Sequence, residues 1–253
     1  GVGRIALASN ISGNENTATG ANSLTTNSTG SYNTAIGFSA LSLNTTQIRN
    51  TAVGWSAGAY HTSSSSTYVG AKASSSVNGI SNSMALGFLA SVSASYQVRV
   101  GSASITSIGG QVGWTTLSDG RFKKDIKENV PGLEFINKLK PVTYHVDATA
   151  VSKFLKEDKE DEAADKKGIT EKEKIIYTGL VAQDVEKAAK EINYDFSGVD
   201  AAKNKDDYYG LRYAEFVVPL IKSVQQLSKQ NDDLSSENKE LRIRLEKIEQ
   251  VLI

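Results

Sequence analysis

Five residues decide the fold of the N-terminal half, Asn33-Thr34-Ala35-Ile36-Gly37. The same pattern occurs once before, at Asn16-Thr17-Ala18-Thr19-Gly20, and again at Asn50-Thr51-Ala52-Val53-Gly54, with a step of 17 each time. Three weaker copies end at Gly70, Gly87 and Gly101, where the glycines follow at steps of 16, 17 and 14. A fixed step with small residues in phase is typical of a solenoid with one turn per repeat. Each copy has room for two short strands and two turns, one of them at the glycine.

Charge divides the chain sharply at Ser118. Residues 1–117 contain five charged side chains, whereas residues 118–253 contain 24 basic and 27 acidic ones. We therefore expect two regions with separate cores. The whole chain has no net charge, although a protein that coats nucleic acid or an anionic membrane is expected to be basic. No apolar run is long enough to span a membrane. We expect neither nucleic acid binding nor membrane insertion.

The sequence offers little to hold a metal or a cofactor, and we expect none. Cysteine is absent, which removes thiolate metal sites and a cysteine nucleophile. The two histidines, His61 and His145, are far apart in the sequence. The glycines between 109 and 113 lack the lysine and the following helix of a phosphate-binding loop. The acidic pair Asp206-Asp207 and the acidic run 157–165 are expected to be solvated.

Each repeat of the N-terminal half contains only about one large aliphatic residue (Ile, Val or Leu) and one aromatic residue. A lone solenoid of this kind buries little apolar surface, and several chains packed around an axis would bury more. Residues 14–105 resemble the head domain of trimeric autotransporter adhesins, a left-handed parallel β-roll that also occurs in phage tail fibres. The resemblance implies a β-roll over residues 1–117 and a homotrimer. The preserved step argues against the alternative, a low-complexity Ser/Thr linker.

From Val217 the apolar pattern changes to a repeat of seven residues. One series is Leu220, Leu227, Leu234, Leu241 and Ile248, and the other is Val217, Val224, Asn231, Asn238, Leu245 and Leu252. Five heptads predict a coiled-coil helix over residues 217–253. Valine at one core position with leucine at the other, together with buried asparagine, favours a coiled coil of two helices, whereas the roll favours an assembly of three chains. We follow the roll, because a domain that already holds three chains together overrides the preference of the helix.

Residues 118–216 are typical of an α+β domain. The pattern predicts a helix from Leu133 that Pro141 ends, strands over 142–146 and 175–181, and a helix from Ala182. Residues 148–174 are dense in Lys, Glu and Asp. They are expected to form a charged insertion, either mobile or an exposed helix.

Three motifs occur in order in this region: Ser118-Asp119-Gly120-Arg121-Phe122-Lys123, then Gly-Leu-Val-Ala-Gln-Asp-Val at 179–185, then Tyr-Gly-Leu-Arg-Tyr at 209–213. Together they resemble the C-terminal intramolecular chaperone domain of phage endosialidases and tail spikes. The same domain occurs in a membrane-bound transcription factor of myelin-forming cells. The resemblance covers residues 118–253. It implies a domain that helps an upstream β-structured fibre to trimerise and then cuts itself off before the motif serine.

The resemblance implies that the scissile bond is Leu117–Ser118, with Ser118 as the nucleophile and Lys123 as the base. A serine hydroxyl needs a base, and a neutral lysine can serve. A spacing of five fits neither one helix face nor one strand face, so the pair meets only across a bend. The sequence Asp119-Gly120 is a suitable turn former.

Arg121 and Lys124 are candidates to favour the neutral form of the lysine by their charge. The backbone N–H groups of Gly120 and Arg121 are candidates for the oxyanion hole. Two interpretations stay open. One is a single-turnover, self-cleaving serine–lysine endopeptidase. The other makes Ser118 and Asp119 mere turn residues, with Lys123 on the surface.

The expected function is the end of a trimeric fibre, a tail fibre or a surface adhesin, with a C-terminal trimerisation chaperone that autocleavage releases. The alternative is an uncut structural or receptor-binding fibre tip or adhesin. Trp55, Tyr60 and Tyr68 are able to stack on a host-surface glycan or to pack between chains, and a protein receptor is also open. The expected location is a virion tail fibre, an extracellular contractile particle or a bacterial cell surface.

Overall fold

The structure, a computed structural model, describes residues 1–60, 62–156 and 162–251. These residues form two compact units. The first unit holds 1–111, the described parts of 144–177, and 202–208; the second holds 112–143, 178–201 and the chain from Tyr209 onward. The proposed domain boundaries after residues 117 and 216 stay a prediction.

Short parallel strands stack in the first unit as the repeat predicts. In chain order they are β1 (Thr17–Thr19), β2 (Thr34–Ile36), β3 (Thr51–Val53), β4 (Ser63–Ser64), β5 (Thr67–Val69), β6 (Ser74–Ser75), β7 (Ile80–Ser81), β8 (Met84–Leu86), β9 (Ser91–Val92) and β10 (Val98–Val100). The main sheet has the order β1-β2-β3-β5-β8-β10, and β4 pairs with β7 and β6 with β9. Equivalent motif residues face each other across the turns, as Ala35 faces Ala52. The solenoid prediction is confirmed.

The motif glycines are required by the close approach of successive turns. Gly54 has a φ of 133°, a conformation that residues with a Cβ rarely adopt. A Cβ placed there would lie 2.7 Å from the carbonyl carbon and oxygen of Gly70 in the next turn. No side chain fits at that distance, which explains why the repeat keeps glycine at this position.

The motif asparagines form a hydrogen-bonded ladder inside the solenoid. The Oδ1 atom of Asn16 accepts from the backbone N–H of Asn33 at 3.0 Å, and the Oδ1 atom of Asn33 accepts from the N–H of Asn50 at 3.0 Å. A second ladder, of Nδ2 to Oδ1 bonds at 2.8 Å, joins Asn10, Asn27 and Asn44. Buried amides are tolerated only when they are bonded, so the ladders let a polar sequence fill the interior.

The remaining interior is narrow and is filled by small residues. Its central column consists of Ala18, Ala35, Ala52, Tyr68 and Ala85, all buried. Tyr68 is 0% exposed, and its hydroxyl donates to Ser63 Oγ at 2.9 Å. Room for its ring comes from Gly58, which follows Leu24 and Leu41 in the repeat; a Cβ on Gly58 would lie 2.9 Å from Tyr68 Cδ2. Of the two roles left open for Tyr68, stacking on a glycan and packing between chains, neither fits, because the ring is part of the core of a single chain.

The helices of the described residues are α1 (Leu133–Ile136), α2 (Ala148–Phe154), α3 (Glu162–Glu173), α4 (Ala182–Glu191) and α5 (Val217–Val251). The remaining strands are β11 (Val142–Tyr144), β12 (Tyr177–Gly179), β13 (Val199–Asp200) and β14 (Gly210–Leu211). β11 pairs with β12, and β13 pairs with β14. The predicted types are confirmed, although α1, β11 and β12 are shorter than the sequence pattern suggested. The charged insertion is helical at α2 and α3, and residues 157–161 of the acidic run lie outside the described residues.

An aromatic cluster forms the core of the second unit. Phe135 of α1 packs edge-on against Phe196 with ring centroids 4.9 Å apart, and Phe196 packs against Phe216 at 4.8 Å. Val185 of α4 is buried in the same cluster. Gln226 of α5 accepts from the backbone N–H of Leu133 at 2.8 Å, which ties α1 to the long helix.

The long C-terminal helix is confirmed. α5 has 35 residues and is about 50 Å long at the usual rise per residue. Its heptad leucines are exposed in the single chain, Leu234 by 57%. Among the described helices, none combines the length and the apolarity that a membrane span needs.

We predict that Tyr68→Ala destabilises the roll by about 3–5 kcal/mol, because it removes a buried ring that Gly58 leaves room for. The free energy of unfolding by denaturant measures this change. Tyr96→Ala is the control, since Tyr96 is exposed, and its loss should change the free energy by less than about 0.5 kcal/mol. Equal effects of the two substitutions would contradict the packing of Tyr68.

Candidate self-cleavage site

Leu117 and Ser118 lie in an irregular stretch that precedes a 3₁₀ turn at Gly120–Phe122. Leu117 is 76% exposed, and Ser118 and Lys123 are also exposed. The peptide bond between Leu117 and Ser118 is therefore accessible in the single chain. It is held in neither a helix nor a strand.

Asp119 organises the turn that follows the serine. Its carboxylate accepts from the backbone N–H of Arg121 at 2.9 Å and caps the 3₁₀ turn. The Arg121 guanidinium donates to Oδ1 from Nε at 3.1 Å, and to Oδ2 from Nε at 3.0 Å and from Nη2 at 2.6 Å. The turn closes when the N–H of Lys123 donates to the Gly120 carbonyl at 3.2 Å. The turn that the sequence predicts at Asp119-Gly120 is present.

This turn brings the two residues of the candidate dyad together. Lys123 Nζ donates to Ser118 Oγ at 2.9 Å. A general base has to lie about 2.6–3.2 Å from the proton donor, so the distance suits proton transfer once the amine is neutral. The spacing of five residues is bridged by the bend, as the sequence analysis required.

The electrostatics of the site differ from expectation at Arg121. A side-chain hydrogen bond from Arg121, and then its backbone N–H, lower the pKa of Asp119 below its usual value, and the same contact raises the pKa of Arg121. Arg121 thus keeps its positive charge and pairs it with the negative charge of Asp119. Its backbone N–H is also taken by Asp119, which leaves Gly120 as the better of the two oxyanion candidates.

The other two motifs meet each other in the second unit. The Tyr213 hydroxyl accepts from the backbone N–H of Leu180 at 3.0 Å, and the Tyr209 hydroxyl donates to Glu186 at 3.4 Å. Leu211 pairs with Val199 in the β13–β14 sheet. These contacts join α4 and the residue pair before it to the segment that precedes α5. They connect positions far apart along the chain, which no short sequence pattern predicts.

Asp207 is a polar residue whose environment the sequence did not reveal. The expectation that it is solvated is wrong, because it is only 5% exposed and accepts hydrogen bonds within the first unit. An aspartate next to a second aspartate, Asp206, has no local pattern that indicates burial.

Residues 118–194 match the model of the peptidase S74 family, chaperone of endosialidase. The match begins at Ser118 and includes Lys123, α1 and α4, and it covers less than a third of the 253 residues. No curated protein and no solved structure matches the chain. The resemblance to the endosialidase chaperone is confirmed for the matched residues, which follow a β-solenoid as expected.

Proposed function

We propose that the chain is the end of a trimeric fibre, and that its residues from Ser118 onward are an intramolecular chaperone which is released by a cut at Leu117–Ser118. The observation that carries the proposal is the coincidence of the family match with the contact between Ser118 and Lys123. A phage tail fibre is the context that this family suggests. The uncut fibre tip or adhesin stays as the alternative.

Apolar surface on the roll supports the homotrimer. One residue per turn stacks in register on the outward face of the main sheet, and we name this set the aliphatic ladder: Ile36, Val53, Val69, Leu86 and Val100. Val53 is 37% exposed, and the neighbouring Phe38, Trp55 and Phe88 are exposed as well. A continuous apolar stripe of this length is unusual on a monomer and is typical of an interface. Two further copies of the same ladder would cover it around an axis.

The exposed heptads of α5 point to the same assembly. Leu227, Leu234 and Leu241 lie at steps of seven and are each more than half exposed. A parallel coiled coil buries such a seam, and it joins the same chains that the roll joins. A coiled coil also forms from local contacts, whereas aligning three solenoids needs contacts between distant residues. Gathering the chains at α5 first lowers the entropic cost of registering the rolls.

The proposed cut is an attack of Ser118 on the preceding peptide bond. Neutral Lys123 Nζ takes the hydroxyl proton, and Oγ attacks the Leu117 carbonyl carbon through a five-membered ring. The carbon–nitrogen bond breaks, Lys123 returns the proton to the leaving amine, and an ester joins Leu117 to Ser118 Oγ. Water then hydrolyses the ester, which leaves a carboxylate on residues 1–117 and restores the serine hydroxyl.

Assembly would supply what the single chain lacks at this site. Ser118 and Lys123 are exposed, and the nearest guanidinium, of Arg121, is paired with Asp119. Water stabilises a charged lysine, so a neighbouring chain that covers the site would favour the neutral amine. The exposed apolar residues on both sides, Leu117 and Phe122, fit such a cover. The cut should therefore follow trimerisation.

For the trimer, we predict a native mass of three times the 27.1 kDa chain when cutting is blocked by Ser118→Ala. Val53→Asp in the same background should dissociate or aggregate the chains, because it places a charge in the covered ladder. Thr46→Asp is the control, since Thr46 is exposed in a bend outside the ladder. Native mass spectrometry measures the mass of Ser118→Ala alone and of Ser118→Ala combined with Val53→Asp or with Thr46→Asp. A folded monomer of the Ser118→Ala chain would exclude the trimer.

For the chaperone role, we predict that residues 1–117 expressed alone aggregate or stay unfolded. Nothing then aligns the three chains, and the ladder stays uncovered. Circular dichroism and light scattering on the fragment, with the full chain as the control, measure the outcome. A soluble, β-rich trimer of residues 1–117 would show that the chaperone is unnecessary.

For the cut, we predict that the unsubstituted trimer yields two pieces, 1–117 and 118–253, and that Ser118→Ala stays whole. Lys123→Ala should slow cutting by about 10²–10⁴-fold while the trimer persists, because the general base is lost. Lys127→Ala removes another exposed amine outside the proposed site and should cut at the unsubstituted rate. Denaturing gels and intact mass follow the pieces. A trimer that stays intact for days would favour the uncut fibre tip.

A further inference from the structure

The unit that contains the roll also contains residues 202–208, which lie far beyond the proposed cut. Asp207 Oδ1 accepts from Ser93 Oγ at 2.6 Å and from Gln97 Nε2 at 3.1 Å, and Oδ2 lies 3.2 Å from the same Nε2. Ser93 and Gln97 belong to the turn that precedes β10, the last strand of the roll. The roll therefore binds a carboxylate from a segment 110 residues away along the chain.

The amide of Gln97 is held in place by bonds from the roll itself. Gln97 Oε1 accepts from the backbone N–H groups of Ser93 and Ala94, at 3.0 and 3.1 Å. These bonds orient the amide so that Nε2 faces Asp207. A preorganised donor gives up little entropy on binding, so this arrangement is a built site for a carboxylate on the end of the roll.

Further contacts hold the same segment to the roll. Asn204 Nδ2 donates to the Ser93 carbonyl at 2.8 Å, and the Arg99 guanidinium lies 5.1 Å from the ring centroid of Tyr208. Within the segment, the backbone N–H of Lys203 donates to Asp207 Oδ2 at 3.1 Å. Burial by itself would raise the pKa of Asp207, but hydrogen bonds from Ser93, Lys203, Gln97 and Tyr208 outweigh it and lower the pKa. The carboxylate is charged at neutral pH.

We propose that residues 203–208 are a clasp, which holds the C-terminal part of the chain on the last turns of the roll even when the backbone between them is broken. Asp207 is the residue on which the clasp depends, and Ser93 and Gln97 are its receptor. The biological break is the cut at Leu117–Ser118, so this role rests on the proposed function. In that setting, cutting and release are separate events: the chaperone piece stays on the roll until the clasp opens.

The test uses the full chain with Ser118→Ala, so that the chain cannot cut itself, and a protease recognition sequence in place of the exposed residues 109–113. After cutting by that protease, the roll piece is immobilised through an N-terminal tag, and the C-terminal piece that remains after dilution is quantified. We expect the parent pieces to stay together. Asp207→Ala should speed release at least about tenfold, since loss of a charge-assisted hydrogen bond changes a dissociation constant by about that factor.

Two further variants separate the clasp from a folding defect. Ser93→Ala leaves Asp207 in place but removes one of its two side-chain donors on the roll, and it should also speed release. Asp195→Ala, an exposed aspartate of the second unit, should release as the parent does. Circular dichroism and native mass of each uncut protein verify that it is folded. Pieces that part at once in the parent, or folded Asp207→Ala and Ser93→Ala proteins that release as the parent does, would overturn the clasp.

This design keeps the two proposals apart, because the break comes from an added protease. A chain that never cuts itself at Leu117–Ser118 would remove the proposed autocleavage and leave the clasp measurable. A chain that cuts itself, but releases its C-terminal piece at the same rate with and without Asp207, would support the autocleavage and overturn the clasp.

Discussion

Successive turns of the roll lie one strand spacing apart, about 4.8 Å, and this spacing limits which residue each position can hold. Gly54 has no room for a Cβ against Gly70, and four of the five residues in the central column are alanines. So little apolar surface is buried per turn that hydrogen-bonded asparagines such as Asn33 fill much of the interior. Larger apolar residues such as Val53 are left on the outside, where a single chain cannot cover them.

The second unit has a different kind of core, but it too leaves apolar residues exposed that a single chain does not cover. Phe135, Phe196 and Phe216 form its compact aromatic core. The hydroxyl of Tyr213, in the segment before α5, accepts from the backbone N–H of Leu180, in the segment before α4. The long helix then continues with its leucines exposed. Both units thus present an ordered apolar seam, and the proposed trimer would bury both seams with the same three chains.

At the candidate site, the contact between Ser118 and Lys123 is already formed in the single chain, but the conditions for the proposed cut are not. A local turn is enough to place Lys123 Nζ on Ser118 Oγ, because Asp119 caps the turn and binds Arg121. The same pairing sets a negative charge beside the positive charge of Arg121. In the proposal, Ser118 cuts only after a neighbouring chain covers the site. The contact of Asp207 with the roll sets, as a separate step, how long the C-terminal piece stays bound.

Features that recur at a regular step along the chain could be predicted from the residues alone. The step of 17 predicted the stacked strands, the heptads predicted the long helix, and Asp119-Gly120 predicted the bend that joins Ser118 to Lys123. Each of these depends on residues that are close along the chain. They can therefore be inferred without knowing what packs against them.

Which side chains are buried became known only from the three-dimensional fold. Tyr68 looks like a surface aromatic until Gly58 is seen to make room for its ring, and Asp207 looks solvated until Ser93 and Gln97 are seen around it. Burial is set by residues from other turns or from distant segments, and no short pattern encodes them. For the same physical reason, the bend at Asp119-Gly120 could be predicted from the sequence, whereas only the structure showed which of the two open interpretations, a covered or an exposed Lys123, holds in the single chain.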